Sequence, residues 1–164
     1  MSAQRLSARM IAATVALGLT ATAAFAALTF KSGPDFTASP GFTFHLVAEA
    51  SGQGNTRMVA SITITASVDY TCRNKGGNEV AAQSPANLSQ TVSDDIRSDH
   101  NGRSVVDLTA TLQIPATVDG KQVGCPNGNW LGVNPVVRSG VTATSSITFG
   151  GATVFSGGPL AGQP

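Results

Sequence analysis

Apolar and polar residues alternate along one long segment in the middle of the chain. Between Met58 and Cys72 the even positions are apolar or aromatic, and the odd positions are mostly serine, threonine or aspartate. A period of two maintained over this length predicts a long β-strand with one buried face. Because the segment exceeds the usual strand length, we also expect a bend or bulge within it.

Three further segments show the same alternation, and each predicts a strand with one solvent-exposed face. They are Phe42–Glu49, Val106–Ile114 and Val141–Phe149. The dipeptide Gly150-Gly151 then joins the last of these segments to a second β-prone run, Ala152–Phe155. A two-residue glycine loop between β-prone runs predicts a tight hairpin, because both loop positions require a positive φ.

The spacing of strands and turns predicts the fold class. Roughly seven or eight strands separated by turn signals indicate an all-β, antiparallel two-sheet sandwich, immunoglobulin-like in broad architecture, with an eight-stranded barrel as the alternative. The segment Glu79–Ser98 is the least clear, and it predicts one strand and a mobile loop. Gly33–Pro40 and Gly157–Pro164 are expected to be irregular ends.

The N-terminal segment has the pattern of a targeting signal. Arg5 and Arg9 precede an apolar stretch that ends at the small-residue site Ala24-Phe25-Ala26. This order predicts a cleaved secretory signal peptide over residues 1–26 and a single secreted, extracellular domain over residues 27–164. The alternative is an uncleaved membrane anchor, for which the apolar stretch has marginal length. After cleavage we expect no membrane attachment.

Charge excludes several classes of partner. Charged residues make up 12% of the chain, and ten lysines and arginines face nine aspartates and glutamates. A balance this close to neutral provides no electrostatic surface for nucleic acid, which we therefore exclude as a partner.

The two cysteines lead to a candidate ligand site. A secreted chain with two cysteines is expected to form one disulfide, here Cys72–Cys125. Such a bridge would hold two polar loops together at one end of the domain and create a candidate binding site. Its residues would be Arg73, Asn74, Asn78, Asn127, Asn129 and Trp130. Asparagine amides beside one aromatic ring suit a neutral glycan or cell-surface polymer. In the alternative interpretation Trp130 fills the core and the asparagines stabilise turns.

The two cysteine segments also carry a family resemblance. The patterns C-x-N-x-G-G-N at Cys72–Asn78 and C-P-N-x-x-W at Cys125–Trp130, with the turn Asn101-Gly102 between them, resemble a group of secreted, mostly actinobacterial proteins. The resemblance covers about residues 42–155. It implies a small secreted β-sandwich and no particular activity.

Catalytic and metal-binding patterns are weak. Asp94, Asp95, Asp99 and Asn101 could provide oxygen ligands for Ca²⁺, but their spacing does not match a calcium-binding loop. The two histidines, His45 and His100, have neither the spacing of zinc ligands nor a nucleophile motif beside them. We therefore expect no metal, no cofactor and no enzymatic activity, with a small secreted hydrolase using one of these histidines as an alternative.

The remaining feature is the composition of the outward strand faces, which are rich in threonine and serine and poor in lysine and glutamate. Sheet edges are usually protected by charge, so weakly protected edges are compatible with pairing between copies; the alternative is a monomer with a neutral, threonine-rich surface. The sequence thus predicts a non-catalytic protein with a binding or cell-surface structural role. The alternatives are a carbohydrate-binding module that uses the loops beside the disulfide and a self-assembling surface or filament subunit.

Overall fold

The structure, a computed structural model, describes residues 28–164, so the predicted signal peptide lies outside the described residues. This part of the chain forms nine β-strands and one short 3₁₀ helix. The strands are β1 (Thr29–Ser39), β2 (Thr43–Ser51), β3 (Met58–Arg73), β4 (Glu79–Ala81), β5 (Ala86–Ile96), β6 (Arg103–Thr111), β7 (Val118–Asp119), β8 (Leu131–Phe149) and β9 (Ala152–Ala161), and the helix is Gly120–Val123. No helix in this part of the chain is long and apolar enough to cross a membrane.

Two antiparallel sheets pack as a sandwich, which confirms the predicted fold class. The small sheet has the order β1-β2-β6. The large sheet is centred on β3 and β8, with β4 and β5 along the free side of β3 and with β7 and β9 along the free side of β8. Three strands against six differ from the three-and-four arrangement of an immunoglobulin constant domain, so the likeness is limited to the sandwich architecture.

The core lies between the sheets and follows the predicted alternation. Every even position of β3 from Met58 to Cys72 is buried, and the inward residues of β2 and β6 face them. Phe44 of β2 is fully buried and stacks on Phe36 of β1 with ring centroids 6.1 Å apart. The register between β3 and β8 shifts near Thr65 and Ser67, which confirms the irregularity expected in so long a strand.

The predicted irregular ends are strands for most of their length, and this prediction was wrong. Residues 33–39 belong to β1, and residues 157–161 belong to β9. Each segment contains a Gly-Pro pair, Gly33-Pro34 and Gly158-Pro159, at a shift in strand register. Proline is compatible with an edge strand at a bulge, because the missing N–H then removes no ladder bond.

Two other segments contain more strand than predicted. Glu79–Ser98 holds two strands, β4 and β5, both of which pair with β3, rather than one strand and a mobile loop. The strand β8 begins at Leu131, ten residues before the alternation becomes regular. Its first part contains Asn134 at a positive φ of 54° and a shifted register, both of which obscure the period of two.

The predicted glycine hairpin is confirmed. Phe149 pairs with Ala152, so Gly150 and Gly151 form a two-residue loop with φ values of 58° and 86°. Both angles lie in the left-handed region, as the tight turn between β8 and β9 requires.

Candidate functional site

The predicted disulfide Cys72–Cys125 is present, with a Cα–Cα distance of 5.6 Å. Cys72 is fully buried at the end of β3, and Cys125 follows the 3₁₀ helix. The backbone N–H of Cys125 donates to the carbonyl of Gly120 at 2.8 Å, which closes the short helical turn. The bridge therefore ties the connection between β7 and β8 to the end of β3.

Both predicted loops lie at this end of the large sheet. Arg73 pairs with Leu131 across β3 and β8, so the loop that begins at Asn74 and the loop that ends at Trp130 leave neighbouring strand ends. The predicted ligand residues therefore share one end of the domain.

Two of the four asparagine side chains in these loops, those of Asn74 and Asn127, stabilise their own turns. The Asn74 carboxamide oxygen accepts a bond from the backbone N–H of Asn78 at 2.9 Å. The Asn127 oxygen likewise accepts from the N–H of Asn129 at 3.1 Å. Both contacts are side-chain turns of the kind that asparagine favours, and they use the oxygen that a ligand hydroxyl would otherwise contact.

Trp130 packs against the hydrophobic core and is only partly exposed. Its backbone is fixed on both sides, since its N–H donates to Asn127 at 3.2 Å and its carbonyl accepts from Gly120 at 3.0 Å. Arg73 forms an ion pair with Glu79 across the hairpin. These contacts favour the turn-and-core interpretation of the loops, and ligand binding by them stays a prediction.

The two histidines lie at different places in the fold. His45 lies on the outer face of β2, where its Nδ1 bonds to the Thr109 hydroxyl at 3.1 Å, and His100 is exposed in the turn before β6. Asp95 is paired with Arg57 at 2.7 Å. Within residues 28–164 no group of three histidines, cysteines or acids is arranged to hold a metal.

Asp99 has a structural role in the turn that precedes β6. Its carboxylate accepts the backbone N–H groups of Asn101 at 2.8 Å and of Arg103 at 2.9 Å. The bond from Arg103 is the main cause of the lowered pKa of Asp99. The side chain of Arg103 in turn bonds to Glu49, and this contact lowers the pKa of Glu49.

Hydroxyl side chains cover the outer face of the large sheet in register. Cross-strand partners are joined by hydrogen bonds of 2.9 to 3.0 Å in the pairs Ser61–Ser93, Thr63–Thr91 and Thr65–Thr142. The strand register extends these pairs into rows across β5, β3, β8 and β9, such as Ser93–Ser61–Ser146–Ser156 and Thr91–Thr63–Thr144. The rows place a broad uncharged surface on one side of the domain.

Sequence reasoning missed a cleft at the opposite end of the sandwich from the disulfide. It has a volume of about 390 Å³ and lies between residues 53–57 and 95–98. Three further clefts, of 300 to 410 Å³, are lined by other strands, and none of the four includes the predicted ligand residues. No sequence motif indicates the first cleft, because its lining comes from two segments that are distant in the sequence.

Comparisons with known proteins provide little information about function. No family model and no curated protein matches the chain. One solved structure, a DUF4466 family protein from Parabacteroides merdae, is similar over 82% of this chain, with 11% identity and a TM-score of 0.23. The chain spans 43% of that protein's length. The resemblance to secreted actinobacterial proteins stays a prediction.

Proposed function

We propose that the protein is a secreted, non-catalytic domain with a structural role outside the cell. In this proposal it works as a homodimer in which the β5 edges of two copies pair. The two large sheets then form one sheet that presents a continuous hydroxyl face. The observation that supports the proposal is that β5 is a long, regular and weakly protected edge strand.

The other long edge strands carry features that prevent pairing. Both β1 and β9 are interrupted by register shifts and contain proline, Pro34 and Pro159. The exposed side chains of β6 include Arg103 and Asp107. Proline, bulges and charge are the devices by which natural sheets block edge-to-edge association.

By contrast, β5 pairs with β3 over all of its 11 residues with no register shift and contains no proline. Its exposed residues Ser89, Thr91 and Ser93 have uncharged hydroxyl side chains. Its two acidic residues, Asp94 and Asp95, lie near one end of the strand. Its free edge therefore has the character of a pairing template.

The sequence of β5 is also nearly symmetric about Gln90. In an antiparallel pair centred there, Ser89 would lie opposite Thr91 of the partner subunit, and Leu88 opposite Val92 of the partner subunit. Asp94 would lie opposite an alanine, Ala86 of the partner subunit, so no like charges would meet. Self-complementarity of this kind is what a two-fold interface requires.

The expected dimer is weak. About eight backbone hydrogen bonds at roughly 1 kcal/mol each would be offset by an association cost of about 4 kcal/mol or more. Small contributions from the facing side chains add to the balance. The net of about 4 kcal/mol corresponds to a dissociation constant of about 1 mM. We therefore expect a value from high micromolar to millimolar, which sedimentation equilibrium of the oxidised mature domain can measure.

Two double variants test the register of the pair. Ser89→Lys with Thr91→Lys places lysine opposite lysine and should abolish the dimer, whereas Ser89→Lys with Thr91→Glu places lysine opposite glutamate and should retain or strengthen it. The control is Thr142→Lys with Thr144→Lys, which adds the same charge to the same face but on β8, away from the edge. A monomer at all concentrations, or equal behaviour of the three variants, would contradict the proposal.

A further inference from the structure

The cleft at the end of the sandwich opposite the disulfide has fixed walls. Gln53 is 3% exposed, and its side-chain amide donates to the carbonyls of Ile96 at 2.7 Å and Thr56 at 3.0 Å. Its carbonyl oxygen accepts from the buried hydroxyl of Ser104. Ser98 adds a bond to the carbonyl of Gly54 at 3.1 Å. The turn between β2 and β3 is therefore tied to the end of β5, with the cleft between them.

The cleft has more positive than negative charge. Four of the five arginines in the described part of the chain form ion pairs with carboxylates, and Arg97 is the one that does not. Arg97 is exposed and lines the cleft together with Arg57. Arg57 already donates to the Asp95 carboxylate through two contacts of 2.7 and 3.0 Å. One carboxylate thus faces two guanidinium groups. Asp94, the neighbouring acid on β5, lies by strand alternation on the face of the sheet opposite to Asp95.

Solvent can reach both side chains of the Arg57–Asp95 ion pair. The Arg57 and Asp95 side chains are 74% and 56% exposed, so an anion from solution can reach Arg57 without entering the core. Asp95 also responds to both arginines, since its pKa is lowered mainly by the bond from Arg57 and further by the charge of Arg97.

We propose that this cleft binds the carboxylate of an acidic sugar. Arg97 is its main anchor, and Arg57 is its second ligand. A guanidinium group donates two parallel N–H groups, a geometry that matches a carboxylate. The remaining lining includes Asn55, Thr56 and Ser98, whose amide and hydroxyl groups suit the hydroxyls of the sugar ring. Because the site lies beyond the central part of β5, it does not depend on the proposed dimer.

The test is a titration of the oxidised mature domain at low salt, followed by the backbone amide NMR signals of residues 53–57 and 95–98. The probes are glucuronate, acetate and glucose. We expect glucuronate to shift these signals at lower concentration than acetate, and we expect glucose to leave them unchanged. Equal shifts with glucuronate and acetate would overturn the assignment to a sugar, and no shifts with glucuronate would overturn the site.

Three variants distinguish this site from general attraction between charges. Arg97→Ala should weaken glucuronate binding at least tenfold, because it removes the main anchor and its charge-assisted bonds. Asp95→Asn should strengthen binding, because it removes the carboxylate that competes for Arg57. The control Arg138→Ala removes another exposed positive charge, far from the cleft lining, and should leave binding unchanged. If Arg138→Ala weakens binding as much as Arg97→Ala, or if Asp95→Asn weakens it, the proposal is wrong.

Discussion

Two buried serines provide a matched test of how hydrogen bonding stabilises this core. Ser145 of β8 and Ser104 of β6 are 3% and 0% exposed, and both point inward. The Ser104 hydroxyl donates to Gln53, whereas the Ser145 hydroxyl has no hydrogen-bond partner among residues 28–164. The same substitution, serine to alanine, should therefore change stability in opposite directions at the two positions.

The expected magnitudes follow from the cost of burying an unpaired polar group. Such a group destabilises the folded state by about 1–3 kcal/mol. Ser145→Ala removes the unpaired hydroxyl and leaves only a small void, so we expect a gain of about 1 kcal/mol. Ser104→Ala leaves the Gln53 oxygen buried without its donor, so we expect a loss of about 1–3 kcal/mol.

Urea unfolding of the oxidised domain, monitored by the fluorescence of its only tryptophan, measures both changes. The midpoint should rise for Ser145→Ala and fall for Ser104→Ala at an unchanged slope, which identifies a change in stability rather than in the denatured state. A gain of 1 kcal/mol would correspond to about 3 °C in thermal unfolding. If Ser145→Ala lowers the stability by more than about 0.5 kcal/mol, the hydroxyl has a partner and the reasoning fails.

Three further outcomes are expected. Replacing Cys72 and Cys125 together by serine should lower the stability by about 4 kcal/mol, because the bridge closes a loop of 53 residues, and urea unfolding would measure the loss. The pKa of Asp99 is lowered in the folded state by bonds from backbone N–H groups, so its contribution is present at neutral pH and is lost as the pH falls through its folded pKa. Asp99→Ala should therefore reduce the acid dependence of thermal stability. Trp130 should show emission and acrylamide quenching between those of buried and exposed tryptophan, and emission of a fully exposed ring would contradict its packing.

The sequence was most informative where burial follows a period of two. All eight even positions of β3 from Met58 to Cys72 are buried, and the disulfide follows from the inward direction of Cys72 together with the expected secretion. The alternation of β8 also places Ser145 on the inward face, so this buried hydroxyl could have been recognised without the structure. The inference needed only local geometry, because alternate side chains of a strand point to opposite faces.

Features that depend on which strands become neighbours could not be predicted in this way. The Gly-Pro pairs lead to a prediction of irregular ends, because the local sequence does not show that β1 and β9 are edge strands. In the sequence Gln53 has the character of an ordinary turn residue, since its hydrogen-bond partners Ile96 and Ser104 are distant in sequence. The cleft that it supports therefore appears only when β5 and β6 are in place.

The two lateral sides of the sandwich are closed by different means, and this difference favours β5 as the edge of the proposed dimer. On one side β1 lies beside β9, and Pro34 and Pro159 interrupt both edges. On the other side β5 lies beside β6, and the Gln90 side chain bridges them by accepting from Gln113 N–H at 3.1 Å and donating to the Thr111 carbonyl at 3.3 Å. A side-chain bridge holds the sheets together, and among residues 28–164 no strand other than β3 pairs with the backbone of β5. Association between copies should therefore occur at β5, and substitutions in β1 or β9 should leave it unchanged.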